Sequence, residues 1–257
     1  MHCPKQISNA NTAHIGSAAI IRPRVRSRTG VCCTASQQQV LVKVCGVTTA
    51  EDAQYAAQQG ANLIGMIMWP KAKRAVSDDT AAAIAAAAKQ HGAQAVGVFV
   101  DEDAATISRR CRAAGIPIAQ LHGDASRAAV NQVPADLQVV YVLQANDAGQ
   151  IVTPLPGAGA GQQLQRSIEW LLVDGMTGGS GKSFDWSNLQ VPAGLASKGW
   201  LLAGGLNPGN VAQAVATAHP TAVDVSSGVC GPDGLAKDHS KVAAFIAGAK
   251  QAAAAAQ

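Results

Sequence analysis

From Val40 onward, short apolar runs alternate with alanine-rich amphipathic segments. There are eight such runs: Leu41 to Cys45, Leu63 to Met68, Ala95 to Val100, Ile116 to Leu121, Val139 to Leu143, Ile168 to Val173, Gly199 to Ala203 and Ala222 to Val225. Short, nearly continuous apolar stretches bounded by polar residues read as strands buried on both faces. The intervening pattern predicts helices over Ala50 to Gln59, Asp78 to His91, Asp103 to Ala114, Asp124 to Gln132, Pro208 to Ala218 and Ser240 to Ala255. Strands alternating with helices imply parallel βαβ units, and eight of them imply closure into a single (β/α)8 TIM barrel. A doubly wound open sheet is the competing α/β arrangement. Two stretches fit the pattern poorly. Gln144 to Arg166 carries Pro154, Pro156, Gly157, Gly159 and Gly161, which leave room for a short helix at best. Gly178 to Leu189 reads as a mobile loop followed by a short helix.

The alternation is missing from residues 1–39, and so are acidic residues, the first being Glu51. That segment is rich in Arg, Ser, Thr and Ala and lacks the long apolar core of a secretory signal, so it is expected to be an organelle transit peptide. A disordered arm is the alternative. Val31-Cys32-Cys33-Thr34-Ala35 after Arg26-Ser27-Arg28 favours a plastid address, leaving 40–257 as the mature domain. Charge supports the division: the net +4 includes Lys5, Arg22, Arg24, Arg26 and Arg28, so the remainder carries −1. With 4% aromatic residues and no basic-aromatic interleaving, a nucleic-acid surface is not expected. No run approaches the roughly 20 apolar residues of a membrane-spanning helix. Of six cysteines, Cys45, Cys111 and Cys230 lie outside the extension without CxxC spacing, which argues against a zinc site or disulfide framework.

Chemistry collects where strands end, because in a closed barrel those points share one rim. The first strand ends at Cys45, followed by Gly46. Cys45 is a candidate base, or else a small buried hydrophobe. Lys43, two positions earlier on the same face, is either its cationic neighbour or a lysine reaching for the barrel end. Arg74, in a Lys/Arg-rich loop, is a candidate fork for a carboxylate, or a solvated charge. Asp174 follows an apolar run and precedes a Gly-rich loop, where desolvation would raise its pKa towards the range of a general acid. His122 and Asp224 are candidate substrate contacts, each with an ordinary packing or hydrogen-bonding alternative. Gly204, Gly205, Ser227 and Gly228 follow consecutive strands and suit a phosphate cradle, although Gly204-Gly205 also suits a tight turn with Asn207 capping the next helix. Gly178, Gly179, Ser180, Gly181 and Lys182 form the candidate loop over the site. Cys111 and Cys230 are read as structural.

In order along the chain, Val42-Lys43-Val44-Cys45-Gly46-Val47-Thr48, Gly60 to Met66, Pro70 to Ser77, Val96 to Val100, Gln120-Leu121-His122-Gly123-Asp124, Gly178 to Trp186, Ala203 to Pro208 and Val223 to Gly228 resemble the phosphoribosylanthranilate isomerase family. Trp69 after Met66-Ile67-Met68 resembles its plant members. The chain departs from the family at Leu143-Gln144-Ala145 and over 146–165. The resemblance implies an Amadori rearrangement of N-(5-phosphoribosyl)anthranilate in tryptophan biosynthesis. Cys45 would be the general base, Asp174 the general acid, Arg74 the binder of the anthranilate carboxylate, and the backbone after strands seven and eight the phosphate site. It also implies no metal or organic cofactor, no nucleic-acid or membrane partner, and a monomer. Rival readings are a ribulose-phosphate epimerase, which needs strand-end metal ligands, an indole-glycerol-phosphate synthase, which needs strand-end lysines, and a non-catalytic sugar-phosphate-binding barrel.

Overall fold

The computed structural model describes residues 39–158, 163–176 and 183–255. The expected transit segment therefore falls almost entirely outside the described residues. Strand β1 (Leu41–Val44) ends one residue before Cys45, and the chain turns at Gly46 into α1 (Ala50–Gln58). Thr49 caps that helix by accepting a hydrogen bond from the Asp52 N–H at 3.1 Å, and Glu51 and Asp52 place negative charge in the first turn. Ser77 and Asp103 do the same for α2 (Asp78–Gln90) and α3 (Ala104–Ala114). After β1 and β3 (Gln94–Phe99) the polar cluster that ends the strand is therefore also the helix start, which keeps those two connections short.

The remaining elements are β2 (Leu63–Ile67), β4 (Ile118–Leu121), α4 (Asp124–Ala128), β5 (Gln138–Ala145), β6 (Trp170–Gly175), β7 (Trp200–Leu202), α5 (Val211–Ala218), β8 (Ala222–Val225) and α6 (His239–Ala255). All eight strands run parallel and the barrel closes, with Leu41 opposite Ala222 and Val44 opposite Val225. The open-sheet alternative is excluded.

Alternation along the strands builds two apolar layers. Val42, Val44, Ile64, Met66, Leu121 and Leu143 pack outward with helix residues such as Ile84, Ile107 and Phe245. Leu63, Val96, Ile118, Val140, Trp170, Leu172, Leu201 and Ala222 fill the interior. Following the inward face along β1, β4, β6 and β8 gives Leu41-Lys43-Cys45, Ile118-Gln120-His122, Trp170-Leu172-Asp174 and Ala222-Asp224-Ser226. The interior is apolar at the amino ends of the strands and polar at their carboxyl ends.

The structure corrects the expected pattern in three places. Strand β5 runs two residues past Leu143, and the chain folds back on it: Ala145 bridges Ile151, and the Val152 N–H donates to Gln144 O at 2.8 Å. No helix occupies the described part of 146–165. Helix α4 stops at Ala128, and a 3-10 turn follows over Val130–Gln132. Val133 is extended because it precedes Pro134, which disfavours helical geometry there. Helix α5 begins at Val211, not Pro208. Asn207 Oδ1 accepts from the Gly209 N–H and Asn210 Oδ1 from the Asn207 N–H, both at 2.8 Å, and these side chains, together with the backbone bonds from the Asn210 and Val211 N–H groups to Asn207 O, hold 207–210 as a turn ahead of the helix.

Candidate active site

At the carboxyl ends of the strands a cavity of about 330 Å³ is lined by Cys45, Arg74, His122, Asp174, Asp224, Gly204, Gly205, Ser227 and Gly228. Every described residue expected at the site therefore shares one pocket. Gly178, Gly179, Ser180, Gly181 and Lys182 lie outside the described residues. Trp69, Gln120, Leu206 and Ser226 also line the cavity. Gln120 stood in the Gln-Leu-His-Gly-Asp motif, two positions before His122 and hence on the same strand face, and that period-2 spacing was the available signal for it.

Lys43 does not reach for the barrel end. It is 0% exposed, and its ammonium donates to Asp224 Oδ1 at 2.9 Å across the β1–β8 seam. Burial, the largest influence, pulls its proton affinity down, but the charges on Asp224 and Cys45 outweigh it and hold the pKa above the ordinary lysine value. Lys43 is thus a permanent cation beneath the pocket, close enough to Cys45 to sense its charge.

Asp174, two positions beyond the interior residue Leu172, has its pKa raised to about 6, first by burial and then by the negative Asp224 nearby; the Gly175 N–H and Lys43 oppose the shift. His122 is driven the other way, to about 4, by burial and by the cations Lys43 and Arg127. It is therefore neutral near pH 7. Gln120 Nε2 lies 3.3 Å from His122 Nδ1, and as donor to that nitrogen it leaves the ring proton on Nε2, which faces Asp174 Oδ2 at 3.8 Å. Gln120 Oε1 is buried with no hydrogen-bond partner among the described residues.

Cys45 is nearly buried, its sulfur resting against Gly65 of β2. Arg74 is half-buried and not a solvated charge. Its guanidinium packs over Gly46, and Nη1 donates to Cys230 Sγ at 3.5 Å. Cys230, read as structural from the sequence, touches both Arg74 and Lys237, each at 3.5 Å. Cys111 is buried in α3, and burial pushes its thiol up to about 12.

On the opposite wall, Gly204 and Gly205 take left-handed φ values of 87° and 67°. A Cβ on Gly204 would meet the Gly175 N at 2.8 Å and Asp174 Oδ1 at 3.2 Å, so the glycine lets the loop close against the acid. Among the described residues, the N–H groups of Gly205, Ser227 and Gly228 donate to no backbone acceptor outside the regular elements, which leaves them available to an anion. Also among the described residues, no cluster of three or more His, Cys, Asp or Glu side chains is arranged to hold a metal, and no helix is long and apolar enough to cross a membrane.

The family model for N-(5′-phosphoribosyl)anthranilate (PRA) isomerase matches residues 42–248. The chain belongs to that family. It is an enzyme of the PRA isomerase class, and the match begins at the second residue of β1 and ends within the last helix. A relative from Arabidopsis thaliana, N-(5′-phosphoribosyl)anthranilate isomerase 1, chloroplastic, is 44% identical over 206 residues, covering 80% of this chain and 73% of its own. A bacterial PRA isomerase from Chlamydia caviae is 40% identical over 210 residues, covering 82% and 97%. A solved PRA isomerase in complex with reduced 1-(o-carboxyphenylamino)-1-deoxyribulose 5-phosphate superposes with TM-score 0.62 at 28% identity, over 82% of this chain and 99% of that one. Family membership thus spans plant and bacterial relatives.

Proposed function

We propose that this enzyme converts N-(5-phosphoribosyl)anthranilate to 1-(2-carboxyphenylamino)-1-deoxyribulose 5-phosphate in tryptophan biosynthesis, with Asp174 as general acid and Cys45 as general base. The single observation that carries the mechanism is the pairing of a carboxyl titrating at about 6 with a cysteine in the same cavity. Near neutral pH a share of Asp174 is protonated and able to donate. It gives its proton to the furanose ring oxygen, the C1′–O bond breaks, and the anilinic nitrogen's lone pair forms a Schiff base. Cys45 then takes the C2′ proton, and the electron pair moves into the C1′–C2′ bond to give an enolamine that tautomerises to the ketone. The substrate's own nitrogen is the electron sink, so the reaction calls for no cofactor.

Arg74 would hold the anthranilate carboxylate, with His122 and Asp224 contacting the sugar. The backbone at Gly204, Gly205, Ser227 and Gly228 would hold the phosphate, supported by the N–H groups of Gly205, Ser227 and Gly228, which among the described residues donate to no backbone acceptor outside the regular elements. Gly178 to Lys182 would close over the bound substrate. A non-catalytic sugar-phosphate barrel is disfavoured because it would have no use for a carboxyl held near pH 6 beside a cavity cysteine.

Residues 1–39 would be a plastid transit peptide preceding a catalytic domain over 40–257. Their acid-free, Arg/Ser-rich composition supports this, as does the chloroplastic Arabidopsis relative. The mature enzyme would be a stromal monomer. A mature amino terminus near Met1, or a dimer on sedimentation, would overturn these two assignments respectively.

The central test is turnover of freshly generated phosphoribosylanthranilate by a chain beginning near Gln38, followed by the fall in anthranilate-type fluorescence. Turnover that vanishes in a folded Cys45→Ala variant supports both the reaction and the base. A folded wild-type protein that binds a product analogue without turnover would favour the ligand-binding barrel.

A further inference from the structure

Lys237 lies between β8 and α6, at the outer edge of the rim, and is only 8% exposed. Its ammonium donates to the Cys45 carbonyl oxygen at 2.6 Å and to the Ser226 carbonyl oxygen at 2.9 Å, and it reaches Cys230 Sγ at 3.5 Å. Among the described residues it forms no ion pair with a carboxylate. A buried ammonium is costly to desolvate and is usually paired with an acid. Burial is the largest influence on Lys237 and lowers its pKa from the ordinary value. An ammonium kept there on two carbonyl oxygens and a thiol, with no carboxylate partner among the described residues, requires a reason other than pairing with an acid.

The two carbonyls identify what the lysine joins. Cys45 follows β1 and Ser226 follows β8, the strands whose pairing closes the barrel. The Cys45 N–H already donates to Val225 O at 2.8 Å, and the Ser226 hydroxyl donates to Cys45 O at 3.2 Å. With Lys237 added, the groups on both sides of Cys45 are tied to β8. The next residue, Gly46, has a φ of 68°, and a Cβ there would meet Arg74 Nη1 at 2.6 Å. A shift of the Cys45–Gly46 backbone would carry the Cys45 side chain with it and disturb the Arg74 seat together. Rotation at Ser226 would move the Ser227–Gly228 backbone on the phosphate side.

We infer that Lys237 is a positioning residue for the reaction: its ammonium clamps the Cys45 and Ser226 carbonyls so that the base and the anion-binding loop address one substrate in a fixed relation. Lys237 does not itself touch the substrate. This inference rests on the reading of Cys45 as the base.

Lys237→Gln keeps a hydrogen-bond donor and removes the charge; Lys237→Arg keeps the charge. Their kcat, KM and inhibition by inorganic phosphate are to be measured on the full chain, with the folded fraction of each variant determined by circular dichroism. The inference expects kcat per folded molecule to fall about ten- to a hundredfold in Lys237→Gln, with weaker phosphate inhibition and substantial recovery of both in Lys237→Arg. Wild-type kcat and phosphate inhibition in folded Lys237→Gln, with only the melting temperature lowered, would reduce Lys237 to a stability clamp and overturn it. Should Lys237→Gln not fold, the ζ-ammonium resonance of 15N-lysine-labelled wild-type enzyme, assigned by its loss in Lys237→Arg, decides: a signal that moves on phosphate binding supports the clamp, and one that stays fixed overturns it. Turnover surviving in Cys45→Ala would overturn the base assignment itself, and this inference with it.

Discussion

His122 Nε2 and Asp174 Oδ2 lie 3.8 Å apart and hold protons in the reverse of the ordinary order. The imidazole titrates at about 4 and the carboxyl at about 6, so between those values the proton resides on the acid and the histidine is neutral. Burial drives both shifts, since it disfavours whichever form is charged. Lys43 adds to the first by repelling an imidazolium, and Asp224 adds to the second by repelling a carboxylate. The histidine therefore does not compete for the proton that Asp174 must deliver.

A raised carboxyl pKa sets the sign of a stability effect. Asp174 titrates above its ordinary 3.8, so its contribution is fully present below about pH 4 and is lost as pH rises through about 6. About two units correspond to at most about 3 kcal/mol. Asp174→Asn should therefore melt higher than wild type at pH 8 but not at pH 4, while turnover falls by about 10²- to 10⁴-fold. In wild type, kcat/KM should decline as pH rises through about 6, because the free enzyme must carry this proton. Calorimetry and pH–rate profiles check both, and an Asp174→Asn variant less stable than wild type at pH 8 would contradict the assignment.

The buried Lys43–Asp224 pair should behave as a unit. Lys43→Met strands a carboxylate that is 8% exposed and should cost about 3–5 kcal/mol. Adding Asp224→Asn removes the stranded charge and should recover a large part of that loss. Urea unfolding of the two single variants and the double variant measures the coupling; additive losses would mean that solvent already screens the pair.

Arg74→Lys retains the charge but loses the planar fork. It should raise KM about ten- to a hundredfold with a smaller change in kcat, in keeping with the roughly 1.5–3 kcal/mol of a charge-assisted hydrogen bond. Steady-state kinetics decide, and an unchanged KM would remove Arg74 from the carboxylate site.

Gly204→Ala would force a Cβ onto a residue with φ of 87° and within 2.8 Å of the Gly175 N. A cost of about 1–3 kcal/mol is expected, with weaker inhibition by inorganic phosphate because the loop must lift away from Asp174. Unchanged melting temperature and phosphate inhibition would show that the loop absorbs the substitution freely.

Much of this was legible along the chain. The eight apolar runs fall on the eight strands, and Thr49, Ser77 and Asp103 sit where helices begin, because strand burial and helix capping depend on neighbours only a few residues away. Strand ends were legible for the same reason, and with them Cys45, His122, Asp174 and Asp224. The errors came where a distant or competing partner decides the local structure. Thr153 accepts from the Gln144 N–H and helps β5 continue beyond Leu143. The Asn207 and Asn210 side chains delay α5.

Periodicity and turn chemistry by themselves determined a parallel α/β chain of eight strands and which residues sit at the strand ends, since parallel strands place their carboxyl ends on one side whatever the details of packing; closure into a barrel, not an open sheet, was read from the structure. Only the tertiary structure decided what those residues are to one another. Lys43 meets Asp224 across 181 positions of sequence, and Lys237 meets the Cys45 carbonyl across 192. Barrel closure brings β8 against β1, and neither hydrophobic period nor capping preference specifies which buried polar groups then face each other. The burial that sets the proton affinities of Asp174 and His122 likewise exists only once the barrel has closed around them.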